Sequence, residues 1–221
     1  MAVPPLDLAH PVHNLIPPAM TSLSRLAGLA GIFCVIWGTP TGAAADCPHP
    51  DALGTSRVMA VDPATHPRVG LKSFPQTLPL ADKEVVLTFD DGPLPATTPR
   101  VLAALARECV RATFFVVGQN ATAHPKLMRR LVAEGHTVGH HSWSHPNLKT
   151  IPFDDALRNI ERGIAADEAA LAGSDGRAAP FFRFPYFAST PQLLEAMQAR
   201  RLAVFGADFW ASDWEPMTPE V

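Results

Sequence analysis

The chain has 221 residues, a formal net charge of −3 and 47% hydrophobic residues. This length is enough for a domain with a sizeable core, and a chain without a basic surplus is a poor candidate for nucleic-acid binding. The sequence shows no internal repeat or heptad pattern and implies no stable protein partner.

The N-terminal residues 1–45 carry a pattern that is typical of an export signal. Arg25 precedes an apolar stretch at residues 26–37, and a run of three alanines, residues 43–45, follows. A basic flank, a short apolar stretch and small residues form a secretory signal. The apolar stretch is shorter than the about 20 residues that span a bilayer, although an uncleaved anchor is the alternative. We therefore interpret residues 1–45 as an N-terminal extension with a secretion signal near residues 20–45, and we expect a periplasmic or secreted protein.

Residues 46–80 form a proline-rich leader, which we interpret as an extended segment that wraps or tethers the domain. In an exported protein, Cys47 in this leader and Cys109 could form a disulfide. Their spacing alone leaves that pairing open.

From residue 81 onward, apolar runs alternate with segments of helical periodicity. The predicted strands are residues 85–89, 112–117, 136–140, 181–184 and 202–206. The predicted helices are residues 98–107, capped by Thr98, and residues 125–134, 153–171 and 191–200. Alternating strands and helices predict an α/β fold with a parallel sheet and crossover helices. In barrels of this kind, catalytic residues cluster at the C-terminal ends of the strands.

Asp90 and Asp91 come at the end of the first predicted strand, which we expect to be buried, and Gly92 follows them. Two adjacent acids at a buried strand end need a cation or hydrogen-bond donors to stay ionised. A metal ion meets that need if one carboxylate ligates it while the other handles a proton. The alternative is that these acids cap a helix or lie in a solvated turn.

His141 and His145 follow the third predicted strand, four residues apart. Neutral imidazoles at this spacing can reach one ion, and they suit Zn²⁺, Co²⁺ or Ni²⁺. Both the histidines and the aspartates follow strand ends, so they could share one edge of the barrel. We interpret the nearby His136 and His140 as structural or surface residues.

Taken in order, three motifs resemble those of the polysaccharide deacetylases, a family that includes chitin, chitooligosaccharide and peptidoglycan deacetylases. They are Thr-Phe-Asp-Asp-Gly at residues 88–92, Ala-Thr-Phe-Phe-Val-Val-Gly at residues 112–118, and His-Ser-x-x-His-Pro at residues 141–146. The resemblance covers about residues 84–221 and implies an incomplete, distorted (β/α) barrel. We place this domain at residues 81–221.

The resemblance also implies roles for the first two acids and the histidines. Asp91, His141 and His145 would ligate a divalent metal, with Zn²⁺ as the default and Co²⁺ or Ni²⁺ as alternatives, and Asp90 would be the general base.

Two later motifs carry further roles by the same resemblance. The segment Arg183-Phe184-Pro185-Tyr186 has phenylalanine where the family commonly has proline. Arg183 would hold Asp90 ionised, and the backbone N–H of Tyr186 would face the developing oxyanion. Pro185 and Tyr186 would also contact substrate. In the fourth motif, Asp213 would orient a catalytic histidine and Trp214 would line the acetyl pocket.

The expected function is metal-dependent removal of N-acetyl groups from an N-acetylglucosamine polysaccharide, namely chitin, chitooligosaccharide or peptidoglycan. The family carries a late Leu-x-His motif whose histidine protonates the leaving amine, but no histidine follows His145 here. We therefore expect a domain truncated at its C-terminus, and an inactive glycan-binding remnant is the alternative function. A third interpretation, hydrolysis of small cyclic amides, fits poorly with an export signal.

Overall fold

The structure, a computed structural model, describes Cys47 and residues 49–216. The predicted export signal lies outside the described residues. Within the described part, none of the helices combines the length and the apolar character needed to cross a bilayer.

A curled sheet of six parallel strands forms the centre of the fold, in the order β1-β6-β5-β4-β3-β2. The strands are β1 (Arg68–Val69), β2 (Thr88–Asp90), β3 (Thr113–Val116), β4 (Thr137–His140), β5 (Phe181–Phe182) and β6 (Ala203–Phe205). Helices connect most successive strands, as parallel pairing requires. This curled, open arrangement confirms the predicted incomplete (β/α) barrel.

Within the described part of the chain, five α-helices surround the sheet: α1 (Thr98–Arg107), α2 (Gly118–Ala123), α3 (Pro125–Ala133), α4 (Phe153–Leu171) and α5 (Pro191–Ala199). The predicted helices are confirmed in α1, α3, α4 and α5. Three of them, α1, α3 and α5, have a proline in the first turn, where its missing N–H leaves no unpaired donor. Thr98 was wrongly predicted as a cap, because Thr97 holds that position and the Thr98 hydroxyl instead accepts the Leu94 N–H at 2.8 Å.

The prediction of a buried strand over residues 85–89 is wrong at its first half. Strand β2 begins only at Thr88, and the side chains of Val85, Val86 and Leu87 are all exposed. These three side chains are exposed because β2 is the last strand in the sheet order and pairs only with β3. An apolar run in the sequence predicts a strand, but it does not reveal on which side that strand lacks a neighbour.

The leader contributes to the sheet, which the sequence did not predict. Strand β1 lies within residues 46–80 and pairs in parallel with β6, with Arg68 opposite Val204 and Val69 opposite Phe205. A strand of two residues is too short to show an alternation of apolar and polar side chains, so it can be identified only by its pairing with β6.

Side chains alternate between the two faces of the sheet, as strand geometry requires. In β3, Phe114 and Val116 pack with α1 and α3, whereas Phe115 packs inside the curl against Val69 and Phe205. Gly139 of β4 leaves room for the Phe115 ring, whose nearest atoms would lie 2.8 Å from an added Cβ. The side chains on the inner face of the sheet are therefore closely packed beneath the C-terminal ends of the strands.

Cys47 and Cys109 form a disulfide, with Cα atoms 5.9 Å apart and a sequence separation of 62. We expect the double variant Cys47→Ser, Cys109→Ser to lose about 2–4 kcal/mol of unfolding free energy, because the bridge restricts the unfolded chain. Urea unfolding measures this difference. Dithiothreitol should lower the stability of the wild type toward that of the variant, and a variant as stable as the oxidised wild type would contradict the prediction.

Candidate metal centre

The predicted metal ligands meet at the C-terminal edge of the sheet. Asp91 follows β2, His141 follows β4, and His145 lies in the loop after it. One ligand atom from each lies within 4.8 Å of the other two. Strand ends that are far apart in sequence thus bring one carboxylate and two imidazoles together.

The spacing of these atoms fits a small cation. Asp91 Oδ1 lies 3.5 Å from His141 Nε2 and 3.2 Å from His145 Nε2. Ligands of a tetrahedral ion at about 2.1 Å are about 3.4 Å apart, so these separations suit an ion such as zinc. The oxygen and nitrogen donor set is also one that borderline divalent metals accept.

His141 is held in the form that a metal requires. It is buried, and its Nδ1 lies 2.7 Å from the carbonyl oxygen of Arg183. A carbonyl can only accept, so Nδ1 carries the proton and Nε2 keeps its lone pair toward Asp91. Burial lowers the pKa of His141 to about 4, although the Arg183 carbonyl opposes the shift. The imidazole is therefore neutral at physiological pH.

The backbone at the site adopts conformations that side chains rarely favour. Asp91, Ser142 and His145 have φ values of 67°, 68° and 55°, in the left-handed region. Such residues persist only where surrounding contacts hold them, and they cluster at functional sites. The loops that carry the ligands are thus fixed by the fold.

Helix α2, which the sequence analysis missed, supplies part of that support. Gly118 and Gln119 at its start donate backbone hydrogen bonds to the carbonyls of Ser142 and Trp143. The Asn120 side chain donates to the Asp91 carbonyl at 2.7 Å. The segment Gly-Gln-Asn directly after a strand was the only signal, and it was too short for a helical pattern.

Helix α4 lies very close, at Gly163, to the loop that carries His141 and His145. A Cβ on this residue would lie 2.5 Å from the Ser142 carbonyl carbon and 2.7 Å from the Trp143 nitrogen. Helix propensity alone predicts that Gly163→Ala stabilises by up to about 1 kcal/mol. We expect the opposite, a loss of about 1–3 kcal/mol, because the backbone must move apart. Urea unfolding gives the sign, and unchanged or increased stability would disprove this packing argument.

Asp90 forms an ion pair with Arg183 beside the ligand group. The Arg183 Nη1 lies 2.8 Å from Asp90 Oδ1, while Asp90 Oδ2 lies 3.9 Å from His141 Nε2. Burial raises the pKa of Asp90, and the Arg183 charge and hydrogen bond oppose that rise. The charge of Asp213 adds to the rise. Asp90 is thus a carboxyl whose basicity is increased above that of a solvated aspartate.

Arg183 itself is buried and fixed by further contacts. It donates to the Thr88 hydroxyl and to the carbonyls of Phe205 and Gly206. Its guanidinium carbon lies 4.2 Å from the centroid of the Phe115 ring, a cation–π contact. The arginine therefore connects β2, β5 and β6 beneath the site and holds Asp90 in place.

The remaining predicted site residues lie around this centre. Pro185 is buried, and Tyr186 is exposed with its ring 4.7 Å from that of His145 and a φ of 57°. Asp213 and Trp214 are exposed, and the Trp214 ring meets that of Trp210 edge to face at 6.0 Å. Tyr186 is thus beside the ligands, whereas Trp214 belongs to an aromatic group at the rim.

The interpretation of His136 and His140 as structural residues is confirmed, but neither lies at the surface. His136 accepts the Ala112 N–H, and burial lowers the pKa of His136. His140 Nδ1 lies 2.7 Å from Asp167 Oδ2 between β4 and α4. Burial raises the pKa of Asp167 to about 6 against the opposing effect of His140. These histidines form hydrogen bonds to neighbouring segments of the fold, and they lie outside the ligand group.

The fold and the site together define a class of protein, a parallel α/β half-barrel with an Asp-His-His group at its C-terminal edge. Comparison with known proteins identifies the family. The polysaccharide deacetylase family matches residues 78–204, more than half of the chain. The chain belongs to this family.

Individual relatives agree with that assignment. A peptidoglycan-N-acetylglucosamine deacetylase of Bacillus cereus is 43% identical over 108 residues, which are 49% of this chain and 38% of that protein. A chitooligosaccharide deacetylase of Sinorhizobium fredii is 37% identical over 130 residues, 59% of each chain.

A solved structure, the peptidoglycan deacetylase Bd3279 of Bdellovibrio bacteriovorus, is 33% identical with a TM-score of 0.54. That match covers 62% of this chain and 37% of the other. The chain therefore spans less than two thirds of the length of each of these relatives.

Proposed function

We propose that this protein is a metal-dependent hydrolase that removes N-acetyl groups from a polysaccharide containing N-acetylglucosamine. The observation that carries the proposal is the convergence of Asp91, His141 and His145 next to the Asp90–Arg183 ion pair. The names of two relatives specify peptidoglycan and chitooligosaccharide, and both of these glycans contain N-acetylglucosamine.

The ligand group fits a divalent cation, and we propose zinc because two neutral imidazoles and one carboxylate are frequent zinc ligands. When bound, such an ion supplies Lewis-acid polarisation of the acetyl carbonyl and lowers the pKa of nearby water. His141 contributes by presenting Nε2, and the Arg183 carbonyl fixes the ring that does so.

Asp90 is proposed as the general base. Burial raises the pKa of Asp90, which improves its ability to accept a proton from the attacking water. Arg183 acts as a positioning residue that fixes the carboxylate through Nη1 at 2.8 Å. Water gives a proton to Asp90 and attacks the acetyl carbon, the C–N bond breaks, and the amine takes up the proton from Asp90 as acetate departs.

The loop after β5 is proposed to receive the acetyl group. The backbone N–H of Tyr186 donates to the developing oxyanion, and the left-handed φ of 57° at this residue sets its direction. Pro185 and Trp214 contact the sugar, and the negative charge of Asp213 raises the pKa of Asp90.

Acetate release from chitotetraose and from a peptidoglycan tetrasaccharide tests the activity. We expect release from at least one substrate, lost on treatment with a chelator and restored by zinc. Binding of both glycans without acetate release would instead favour the glycan-binding alternative.

We propose that the protein is exported, on the basis of the signal pattern at residues 20–45. N-terminal sequencing of the protein from periplasm or medium should then begin near Asp46. A product that retains Arg25 would indicate that the apolar stretch serves as an anchor.

A further inference from the structure

An aromatic platform lies at the rim of the metal centre and consists of Phe187, Trp210 and Trp214. The Phe187 and Trp210 rings stack at 5.6 Å with an interplanar angle of 27°, and Trp214 meets Trp210 edge to face. Trp214 is 62% exposed, although aromatic side chains usually bury their faces. The faces of sugar rings carry C–H groups that stack on exposed aromatic rings, so the platform is suited to a glycan.

The platform lies close to the reactive residues, both in sequence and in space. Phe187 follows Tyr186, whose ring contacts that of the ligand His145. The Arg183 guanidinium carbon, in the group that pairs with Asp90, lies 5.4 Å from the Phe187 ring centroid. A sugar on the platform would therefore neighbour the sugar whose acetyl group is hydrolysed.

Lys72 places a positive charge at this platform. It follows β1, whose C-terminal end shares the edge of the parallel sheet on which the ligands lie. Its Nζ is 5.0 Å from the Trp210 ring centroid, and the side chain is exposed. Among the described residues Lys72 forms no ion pair. Its charge is thus available to a ligand.

The backbone holds Lys72 in place. Its N–H donates to the Ala207 carbonyl at 2.9 Å. Asp208 accepts the Leu71 N–H and the Thr77 hydroxyl, each at 2.7 Å. Gly70 has a φ of 116°, and an added Cβ would lie 2.5 Å from the Ala207 nitrogen. The loop after β1 is therefore docked on the segment that carries Trp210.

We propose that Lys72 and the aromatic platform form a glycan subsite that favours sugars bearing a carboxylate, such as N-acetylmuramic acid, over uncharged N-acetylglucosamine. This inference rests on the proposed function and refines its substrate class toward peptidoglycan. Lys72, Trp210 and Trp214 all lie outside residues 78–204, which match the family. The lysine that would give the preference thus lies in a segment that flanks the matched region.

The test compares Lys72→Met with wild type on chitotetraose and on a stem-free tetrasaccharide of alternating N-acetylglucosamine and N-acetylmuramic acid. We expect KM for the acidic glycan to rise about three- to tenfold with kcat unchanged, because one charge-assisted contact is lost. The KM for chitotetraose should not change. Lys72→Arg should restore the wild-type KM, and Lys126→Met, a matched change on an exposed lysine of α3, should have no effect.

Two further substrates distinguish the source of the carboxylate. A tetrasaccharide whose lactyl carboxylates are converted to neutral amides should lose the Lys72 effect if Lys72 contacts the lactyl group. A glycan that carries stem peptides on its N-acetylmuramic acid should still show the KM increase in Lys72→Met if Lys72 contacts a carboxylate of the peptide. An equal KM increase on chitotetraose and the acidic glycan, or no increase on any carboxylate-bearing glycan, would overturn the subsite.

Isothermal titration calorimetry separates this inference from the proposed function. If wild type binds the acidic glycan and Lys72→Met weakens that binding, the subsite stands even when no acetate is released. If acetate is released from both glycans and Lys72→Met changes neither binding nor KM, only the subsite fails.

Discussion

Replacement of His141 with alanine is expected to lower the affinity for zinc by at least about 100-fold. Loss of a residue that only supports a ligand already lowers metal affinity about 10–100-fold, and His141 presents a ligand atom itself. Its Nε2 lies 3.5 Å from Asp91 Oδ1, and its ring is fixed by the Arg183 carbonyl. Elemental analysis after dialysis against a weak chelator measures the bound zinc.

The matched control is His49→Ala, which removes an exposed imidazole away from the ligand group. This variant should retain the zinc content of the wild type. Equal zinc in His141→Ala and wild type would show that the ion is held elsewhere, and the assignment of all three ligands would then be wrong. Circular dichroism of the His141→Ala variant checks that zinc loss does not follow from unfolding.

Replacement of Asp90 with asparagine is expected to lower kcat for deacetylation about 10²–10⁴-fold, which is the usual contribution of a general base. Asparagine preserves the shape of the side chain and can still accept the Arg183 hydrogen bond now measured at 2.8 Å. It cannot take up a proton from water. Zinc content should therefore remain at the wild-type level, which distinguishes Asp90→Asn from the loss of a ligand.

Asp82→Asn serves as the control, because Asp82 is an exposed acid that precedes β2, at the opposite end of the strand from the ligands. Its kcat should match that of the wild type. If Asp90→Asn retained more than about a tenth of wild-type kcat, another group would be the base. If both zinc and activity were lost, Asp90 would act as a ligand rather than as a base.

The two variants together test whether the adjacent residues Asp90 and Asp91 have the different functions proposed for them. Asp91 has its carboxylate near both imidazoles, whereas Asp90 has one oxygen on Arg183 and the other 3.9 Å from His141. The left-handed conformation of Asp91 turns the chain between them, so consecutive side chains reach different partners. This turn is the structural reason that neighbouring acids can have different roles.

Much of the site was predictable because it lies in short motifs at the ends of strands. The strand end at Asp90 was recognisable from the apolar run before it, and the strand end at His140 agrees with the predicted strand over residues 136–140. In a parallel sheet such ends share one edge, so the meeting of Asp91 with His141 and His145 followed from the order of elements. The match to family motifs added roles for Arg183 and Tyr186 that spacing alone does not reveal. The domain boundaries at residues 45 and 80 stay predictions.

The sequence alone determined the helices α1, α3, α4 and α5 and the alternation of strands and helices, and the resemblance to family motifs selected Asp91, His141 and His145 as the proposed ligands. These follow from local periodicity, from prolines in first turns and from motif spacing, all of which act over a few residues. Only the tertiary structure decided that residues 85–87 are exposed, that Arg68–Val69 pair with β6, and that Lys72 lies over Trp210. The physical reason is that burial at a sheet edge, pairing of a two-residue strand and contact between distant loops depend on neighbours remote in sequence.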